Sequence, residues 1–244
     1  MSTEQQTGRV AVITGASSGI GEATARALAA DGHRLALLAR RAGRIEALAA
    51  ELANASIAIE ADVTDRESLL AAAGRVQAEL GGADVLINNA GVMLLAPFGS
   101  AQHAEHRQMV EVNLLGAIVA TEVFLDQLRD GGGDLINVSS VAGRTARPGN
   151  AVYAATKWGI NGFSEGLRQE LAPDVRVTVI EPGAVATELT EHITDAETKQ
   201  ATREFVRDLA ITAQDIGAVI AFAVSRPRRM TLNEILVRPA AQVS

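Results

Sequence analysis

The sequence predicts one doubly wound α/β domain over residues 1–244, with a seven-stranded, mostly parallel sheet and helices on both faces. Short apolar segments alternate with longer segments whose apolar residues recur every three or four positions, as strands alternate with helices in βαβ units. The short segments are apolar throughout, which is typical of strands covered on both faces. The predicted strands lie at residues 9–14, 34–39, 56–60, 84–87, 134–138, 175–180 and 234–237.

The longer segments predict the helices that connect these strands. Two of the helices are long, at about residues 102–129 and 150–171. Residues 188–210 interrupt the alternation, and we expect two short helices there, inserted before the last helix to close a substrate site. No linker rich in proline or serine divides the chain, which favours a single domain.

The composition excludes several classes of function. The chain has 244 residues and a formal net charge of −7, so no basic surplus is available to neutralise the phosphates of nucleic acid or of an anionic membrane. The absence of cysteine excludes disulfides and thiolate sites, and the four histidines do not predict a metal site. Residues 1–8 are polar and no apolar run approaches about 18 residues, so we expect a soluble, cytoplasmic protein.

The first strand leads directly into a turn of the form G-x-x-x-G-x-G. Gly15 permits a tight turn, Gly19 lets the backbone approach a pyrophosphate, and Gly21 permits close packing of the next helix. That helix begins with unpaired N–H groups and the positive end of a dipole. An ordinary strand-to-helix turn is the alternative, but the first position in a βαβ series favours a dinucleotide site. The residues expected to bind it here are Gly15, Ser17, Ser18, Gly19, Ile20 and Gly21.

The end of the second strand distinguishes the two nicotinamide cofactors. An acidic residue at this position usually binds the ribose 2′-hydroxyl of NAD, whereas an arginine accommodates the 2′-phosphate of NADP. Here Arg40 and Arg41 follow the strand, and no carboxylate stands at its end. The alternative is that these arginines lie in the solvated first turn of a helix, where positive charge is unfavourable. The sequence therefore favours NADP(H).

Tyr153 and Lys157 form a Y-x-x-x-K pair in a predicted helix. Residues four apart on a helix share a face, with Cβ atoms about 5–6 Å apart. A lysine ammonium there favours phenolate, so we expect a lowered pKa for Tyr153, as a general acid–base needs. A surface pair is the alternative, but Tyr153 is the only tyrosine, and Ser139 and Ser140 lie at the end of the fifth strand.

With Thr14 in front, the turn TGASSGIG resembles the nucleotide turn of the short-chain dehydrogenase/reductase family. Further motifs of that family follow in its order: N-N-A-G at 88–91, Asn113, Ser140 13 residues before Tyr153, and P-G-x-x-x-T at 182–187. The resemblance covers nearly the whole chain, implies a Rossmann-type fold and favours Ser140 over Ser139. The ending at 233–239 looks like a subgroup that includes clavaldehyde reductase and NADP-dependent 3-hydroxy acid (serine) dehydrogenases.

The resemblance also implies how the cofactor is held. Asp62 and Val63 would flank the adenine, with Asp62 bonding its amino group; a helix cap or Asx-turn is the alternative for Asp62. The backbone of Val185 would bind the nicotinamide carboxamide. Further cofactor contacts are implied for Asn89, Ala90, Gly91, Tyr153, Lys157, Pro182, Gly183 and Thr187.

The implied reaction is hydride transfer between NADP(H) and a ketone, aldehyde or alcohol. Ser140 would orient the substrate oxygen and Tyr153 would donate the proton. Lys157 would bind the nicotinamide ribose and stabilise the phenolate. The backbone carbonyl of Asn113 would hold a water that relays protons; the alternative is a locally satisfied helix residue.

The substrate residues follow from their place beside this set. Met93 is expected on the pocket wall, and Arg144 or Arg147 is expected to meet a substrate carboxylate. An exposed loop arginine is the alternative for each. A non-catalytic NADP(H)-binding regulator or scaffold of the same fold remains the alternative function. Members of the family usually assemble through the two long helices and the last strand, so a homodimer or homotetramer is expected.

Overall fold

Nine strands are present in the computed structural model, which describes residues 8–52, 54–100 and 102–243. Seven of them form the central sheet, and two short ones pair separately. In chain order they are β1 (Val10–Thr14), β2 (Arg34–Ala39), β3 (Ser56–Glu60), β4 (Val85–Asn88), β5 (Gly133–Val138), β6 (Val175–Pro182), β7 (Val185–Ala186), β8 (Ile211–Thr212) and β9 (Glu234–Val237).

The central sheet has the strand order β3-β2-β1-β4-β5-β6-β9, and each neighbouring pair is parallel. The predicted seven-stranded sheet is therefore confirmed, and it is parallel throughout. The order reverses between β1 and β4, which is the point where a doubly wound sheet leaves a crevice for a ligand. The carboxyl ends of all seven strands meet at this one edge.

Eight α-helices connect the strands within the described residues. They are α1 (Gly19–Ala30), α2 (Ala42–Glu51), α3 (Arg66–Leu80), α4 (His103–Val110), α5 (Gly116–Arg129), α6 (Ala151–Leu171), α7 (Ala196–Leu209) and α8 (Ala213–Val224). Buried residues of α3, α5 and α6 form a core on one face of the sheet, and those of α1, α2 and α8 form a core on the other. Helices on both faces are thus confirmed.

Alternating side chains of each strand explain why the strands are apolar throughout. In β1, Val10 and Val12 belong to the core under α3 and α5, whereas Ala11 and Ile13 belong to the core under α1 and α8. Successive side chains of a strand point to opposite faces. Both faces are covered by helices, so no position in the strand can be polar without a buried partner.

The long helix predicted over 102–129 has a π-helical turn, Glu111–Leu115, between α4 and α5. By length and composition alone, His103–Arg129 could cross a membrane, with a mean hydropathy of 1.4, although no such segment was expected from the sequence. Helices that cover a sheet often have this composition. Phe124 and Leu128 are fully buried in the core under the sheet, so the composition is weak evidence for a membrane span.

The inserted segment differs from the two short helices expected at 188–210. A 3₁₀ turn, Glu188–His192, is followed by the 14-residue helix α7. The ends of the segment are held together, because β7 pairs with β8 through Val185 and Ile211 and through Ala186 and Thr212. Two-residue strands are too short to give a periodic pattern, so the sequence did not predict this pairing.

A buried ion network closes the opposite, amino-terminal edge of the sheet. Asp134, at the start of β5, accepts hydrogen bonds from Arg176 Nε at 2.5 Å and Nη2 at 2.8 Å. Arg9 Nη1 donates to the same carboxylate at 2.5 Å. The side chains of Asp134 and Arg176 are almost fully buried. Such a network ties the ends of β1, β5 and β6 together.

Replacing Asp134 with Asn should lower the free energy of unfolding by about 3 kcal/mol, because two arginine charges lose their buried partner. Glu79→Gln is the control, since Glu79 lies in an exposed pair with Arg75 on α3 and should cost less than about 0.5 kcal/mol. Urea unfolding of both variants measures the difference. Equal stabilities would show that the network does not stabilise the sheet.

Candidate active site

A cavity of about 370 Å³ lies at the carboxyl edge of the sheet. The turns after β1 to β6 and helix α6 contribute its walls. The predicted site residues that line it are Gly15, Ser17, Ser18, Gly19, Ile20, Arg40, Arg41, Asp62, Val63, Asn89, Ala90, Gly91, Met93, Ser140, Tyr153, Lys157, Pro182, Gly183, Val185 and Thr187. The wall does not include Gly21, Asn113 or Arg144.

The glycines of the first turn permit contacts that a side chain would block. Gly15 has a φ of +66°, and a Cβ there would lie 2.8 Å from Ala90 Cα. A Cβ on Gly21 would lie 2.4 Å from the carbonyl oxygen of Gly15 and 2.5 Å from Asn89 Nδ2. Gly21 thus allows the first turn of α1 to pack against the glycine turn, which agrees with its predicted packing role.

The start of α1 faces the cavity with its backbone donors free of side-chain caps. Ser18 precedes the helix, and no side chain of the described residues caps it there. The first N–H groups of a helix have no partner within the helix and together form the positive end of its dipole. The arrangement fits a pyrophosphate, because those groups would bind its oxygens.

The glycine turn is held in place by the turn that follows β4. Thr14 Oγ1 accepts hydrogen bonds from the backbone N–H groups of Asn89 at 3.0 Å and Ala90 at 3.1 Å. Asn89 Nδ2 donates to the carbonyl oxygens of Thr14 at 3.0 Å and Gly15 at 3.2 Å. The Asn89 side chain therefore positions the phosphate turn, a task that the resemblance alone did not indicate.

Arginines after β2 form a positively charged end of the cavity. Arg41 Nε donates to Ser17 Oγ at 3.0 Å, and its Nη2 donates to Ser18 Oγ at 2.7 Å. Arg41 and Arg44 also bind the carboxylate of Glu188, which sequence reasoning missed. A guanidinium beside the phosphate turn fits a ribose 2′-phosphate.

Asp62 lies on the cavity wall after β3, in a local turn. Its Oδ1 accepts hydrogen bonds from the backbone N–H of Thr64 at 2.9 Å and from Thr64 Oγ1 at 2.7 Å. Partial burial opposes ionisation, but these bonds and the charge of Arg40 lower the pKa of Asp62 below its usual value. The Asx-turn that the sequence offered as an alternative is thus present. The second carboxylate oxygen, Oδ2, lies 3.9 Å from Arg40.

Ser140, Tyr153 and Lys157 meet on one wall of the cavity. The side chains of Tyr153 and Ser140 share a hydrogen bond. Lys157 Nζ lies 5.8 Å from the centre of the Tyr153 ring and donates to the carbonyl oxygen of Val138 at 2.9 Å. Ser139 instead donates its hydroxyl to the carbonyl oxygen of Lys157 at 3.3 Å. The serine beside the tyrosine is therefore Ser140.

Burial dominates the ionisation of this group. It raises the pKa of Tyr153 to about 12, although the hydrogen bond with Ser140 opposes the shift. Burial also lowers the pKa of Lys157 to about 8. The expected lowering of the Tyr153 pKa was wrong, because burial removes hydration from the phenolate and the hydrogen bond with Ser140 only partly offsets that loss.

Asn113 lies in the π-helical turn and is buried behind the cavity wall. Its Oδ1 accepts from the backbone N–H of Val92 at 2.8 Å, and its Nδ2 donates to the Val92 carbonyl at 2.8 Å and to Thr156 Oγ1 at 3.3 Å. The side chain is satisfied by residues distant in the chain rather than locally, and it fixes the segment after β4 against α6. Single π turns occur frequently at functional sites.

Arg144, which was predicted to meet a substrate carboxylate, does not line the cavity and binds two carboxylates of the protein instead. Its Nε donates to both carboxylate oxygens of Glu181, at 2.9 and 2.8 Å, and its Nη2 binds Glu234. Glu181 is fully buried and also accepts from Asn161 Nδ2 at 2.8 Å. A buried carboxylate requires such partners, and no pattern in the sequence indicated that Glu181 would be buried.

The turn after β6 is supported from the end of the chain. Gln242 Oε1 accepts the backbone N–H of Ala184 at 2.9 Å, and a Cβ on Gly183 would lie 2.3 Å from that oxygen. Thr187 caps the 3₁₀ turn through the N–H of Leu189, and its methyl group lies against Gly19. Gln242 is a supporting residue that no sequence motif indicated.

Sequence comparison assigns the family. A model described as short chain dehydrogenase matches residues 9–215. The chain belongs to the short-chain dehydrogenase family. An uncharacterized oxidoreductase of Staphylococcus saprophyticus is 39% identical to this family member over 239 residues, which is 96% of this chain and 97% of the relative.

Solved structures agree with this assignment. A serine dehydrogenase in its closed form, complexed with NADP+, is 29% identical with a TM-score of 0.91, and the match covers 96% of each chain. A 3-ketoacyl-(acyl-carrier-protein) reductase from Brucella melitensis, complexed with NADH, is 27% identical with a TM-score of 0.87, covering 96% of this chain and 98% of the reductase. The family thus includes structures with either nicotinamide dinucleotide.

Gly21→Ala should weaken dinucleotide binding by more than about tenfold, because the added Cβ displaces the glycine turn or the Asn89 side chain. Gly74→Ala is the matched control: Gly74 lies on α3 with open space around its Cα, so alanine should stabilise the helix by about 0.5–1 kcal/mol and leave binding unchanged. Calorimetric titration with NADPH and NADH measures binding. Unchanged binding in a folded Gly21→Ala protein would contradict the packing role of Gly21.

Proposed function

We propose that this protein is an NADP(H)-dependent oxidoreductase that interconverts a ketone or aldehyde and an alcohol. The observation that carries the proposal is the position of Ser140, Tyr153 and Lys157 on a cavity whose other end holds Arg41 and the uncapped start of α1. An acid–base group and a site that fits a dinucleotide thus share one cavity. Complexes of the family relatives with NADP+ and NADH support the cofactor class.

When bound, the nicotinamide dinucleotide would supply or accept the hydride. The start of α1 and the Ser17 and Ser18 region would hold its pyrophosphate, and Arg41 and Arg44 would hold the 2′-phosphate. Asp62 and Val63 would contact the adenine, and the Val185 backbone would contact the carboxamide. The preference for NADP(H) over NAD(H) is supported by these arginines.

The ionisation of the buried group suits the reductive direction. With a pKa of about 12, Tyr153 is protonated at neutral pH and so can donate a proton to a carbonyl oxygen. Ser140 would hold that oxygen beside the tyrosine hydroxyl. Lys157 carries a positive charge below about pH 8 and would stabilise the phenolate that the transfer leaves. A water on the Asn113 carbonyl would return the proton.

The wall around this group favours a substrate with an apolar part. Met93 and Leu189 line the cavity that also contains Ser140 and Tyr153. Arg144 is bound to Glu181 and Glu234, so a substrate carboxylate would need another cation. Similarity to a serine dehydrogenase keeps the 3-hydroxy acid subgroup as a candidate substrate class.

Tyr153→Phe should lower turnover with NADPH and a mixed panel of aldehydes and ketones by at least about 10²-fold, because the proton donor is lost. NADPH binding should be unchanged, since the ring still fills its buried position. Steady-state absorbance at the nicotinamide band and calorimetric titration measure the two effects. Activity that survives in Tyr153→Phe would refute the proposed mechanism. Tight NADPH binding with no turnover of any panel substrate by the wild type would favour the regulator.

Exposed apolar residues support assembly into a homodimer or homotetramer. Trp158 on α6 is 55% exposed, and Leu115 in the neighbouring π turn is 47% exposed. Phe222 on α8 is 49% exposed and Leu236 on the edge strand β9 is 42% exposed, each as a separate apolar residue. Large apolar side chains grouped on a surface mark contact sites. We propose that the helices α4 to α6 form one interface and that β9 with α8 forms another.

Trp158→Glu should shift the assembly to a smaller species, since it places a charge in an apolar interface. Leu70→Glu on α3 is the control for a new charge at an exposed leucine away from both surfaces. Size-exclusion chromatography with light scattering measures the mass. A monomeric wild-type protein would contradict the proposed interfaces.

A further inference from the structure

Glu188 is a carboxylate on the wall of the cofactor cavity, in contact with the arginines that follow β2. Its Oε2 accepts from Arg41 Nη1 at 2.9 Å. Arg44 Nη1 donates to Oε1 at 2.8 Å and to Oε2 at 2.9 Å. The sequence has no carboxylate at the end of β2, but the fold brings one there from a position 147 residues after Arg41.

The carboxylate binds where an anionic group of the cofactor would bind. Arg41 reaches the phosphate turn through Ser17 and Ser18 and reaches Glu188 through its remaining nitrogen. Every terminal nitrogen of Arg41 therefore has an acceptor in the structure. A 2′-phosphate that binds this guanidinium would either share it with the Glu188 carboxylate or displace that carboxylate. Both groups are negatively charged, and like charges at close range repel each other.

The Glu188 carboxylate can be displaced, because few contacts hold it in place. Its side chain is 47% exposed, and the described contacts of its carboxylate are those with Arg41 and Arg44. These contacts lower the pKa of Glu188 to about 2, so the carboxylate is ionised at neutral pH. A phosphate carries more charge and more acceptor oxygens than a carboxylate. It can therefore replace Glu188 on both arginines.

We propose that Glu188 occupies the place of the adenosine 2′-phosphate and that NADP(H) must displace it from Arg41 and Arg44, so that Glu188 lowers the affinity for NADP(H) and limits its selectivity over NAD(H). The inference rests on the proposed dinucleotide function. It assigns Glu188 as a specificity-determining residue, and it places that residue on the inserted segment rather than at the end of β2.

Glu188→Gln keeps the shape of the side chain and removes its charge. The dissociation constant for NADPH should fall by about fivefold, and that for NADH should stay within about twofold of the wild-type value. Glu191→Gln is the matched control. Glu191 lies in the same 3₁₀ turn, pairs with Arg203 and Lys199 and does not line the cavity. Calorimetric titration of each apoprotein with NADPH and with NADH measures the constants without turnover.

Introducing Glu188→Gln into an Arg41→Ala/Arg44→Ala variant tests whether Glu188 affects NADPH binding through these two arginines. There the substitution should leave NADPH binding unchanged, because the arginines for which Glu188 competes are gone. An unchanged NADPH constant in the single variant would overturn the proposal. So would a selective loss of NADH binding, which would make Glu188 a ligand of the ribose hydroxyls.

Failure of the proposed function has a different signature. A wild-type protein that binds NADH but not NADPH would refute the NADP(H) assignment. Acquisition of NADPH binding by Glu188→Gln would then still support competition at the 2′-phosphate position. A wild-type protein that binds neither dinucleotide would refute both proposals.

Discussion

The contact between the turns after β1 and β4 is the constraint on which the site depends. A Cβ on Gly15 would lie 2.8 Å from Ala90 Cα, so the two backbones approach too closely for a side chain at Gly15. The Thr14 hydroxyl and the Asn89 amide close the contact with hydrogen bonds in both directions. This contact bridges the switch point of the sheet and fixes the start of α1. The start of α1, where a phosphate would bind, is therefore positioned by this contact.

The parallel sheet then places the reacting group at a set distance from the phosphate turn. Ser140 follows β5, two strands from β1 in the sheet, and Tyr153 and Lys157 come from the helix that packs beside it. Asn113 connects the segment after β4 to this helix. The same segment also contacts the glycine turn through Asn89, so it connects the two ends of the cavity. The site is built from turns, and buried polar side chains such as Thr14, Asn113 and Gln242 fix several of them.

Local patterns were enough to predict the seven strands of the central sheet, the glycine turn and the tyrosine–lysine pair. These features are encoded by residues that are close in sequence, such as Gly15 to Gly21 or Tyr153 and Lys157. The contacts of Arg41 with Glu188 and of Arg144 with Glu181 join residues far apart in the chain. No periodic pattern or motif spacing in the sequence predicts these two contacts. The pKa of Tyr153 was also predicted to shift in the wrong direction, because its ionisation depends on burial, which only the assembled core determines.

A crystal structure of the protein with NADP+ would show whether the dinucleotide binds in this cavity. We expect a pyrophosphate at the start of α1, a 2′-phosphate bound by Arg41 and Arg44 in place of Glu188, and a nicotinamide ring beside Tyr153 and Lys157. A dinucleotide bound elsewhere, or one whose 2′-phosphate avoids both arginines while Glu188 keeps its contacts, would contradict this expectation.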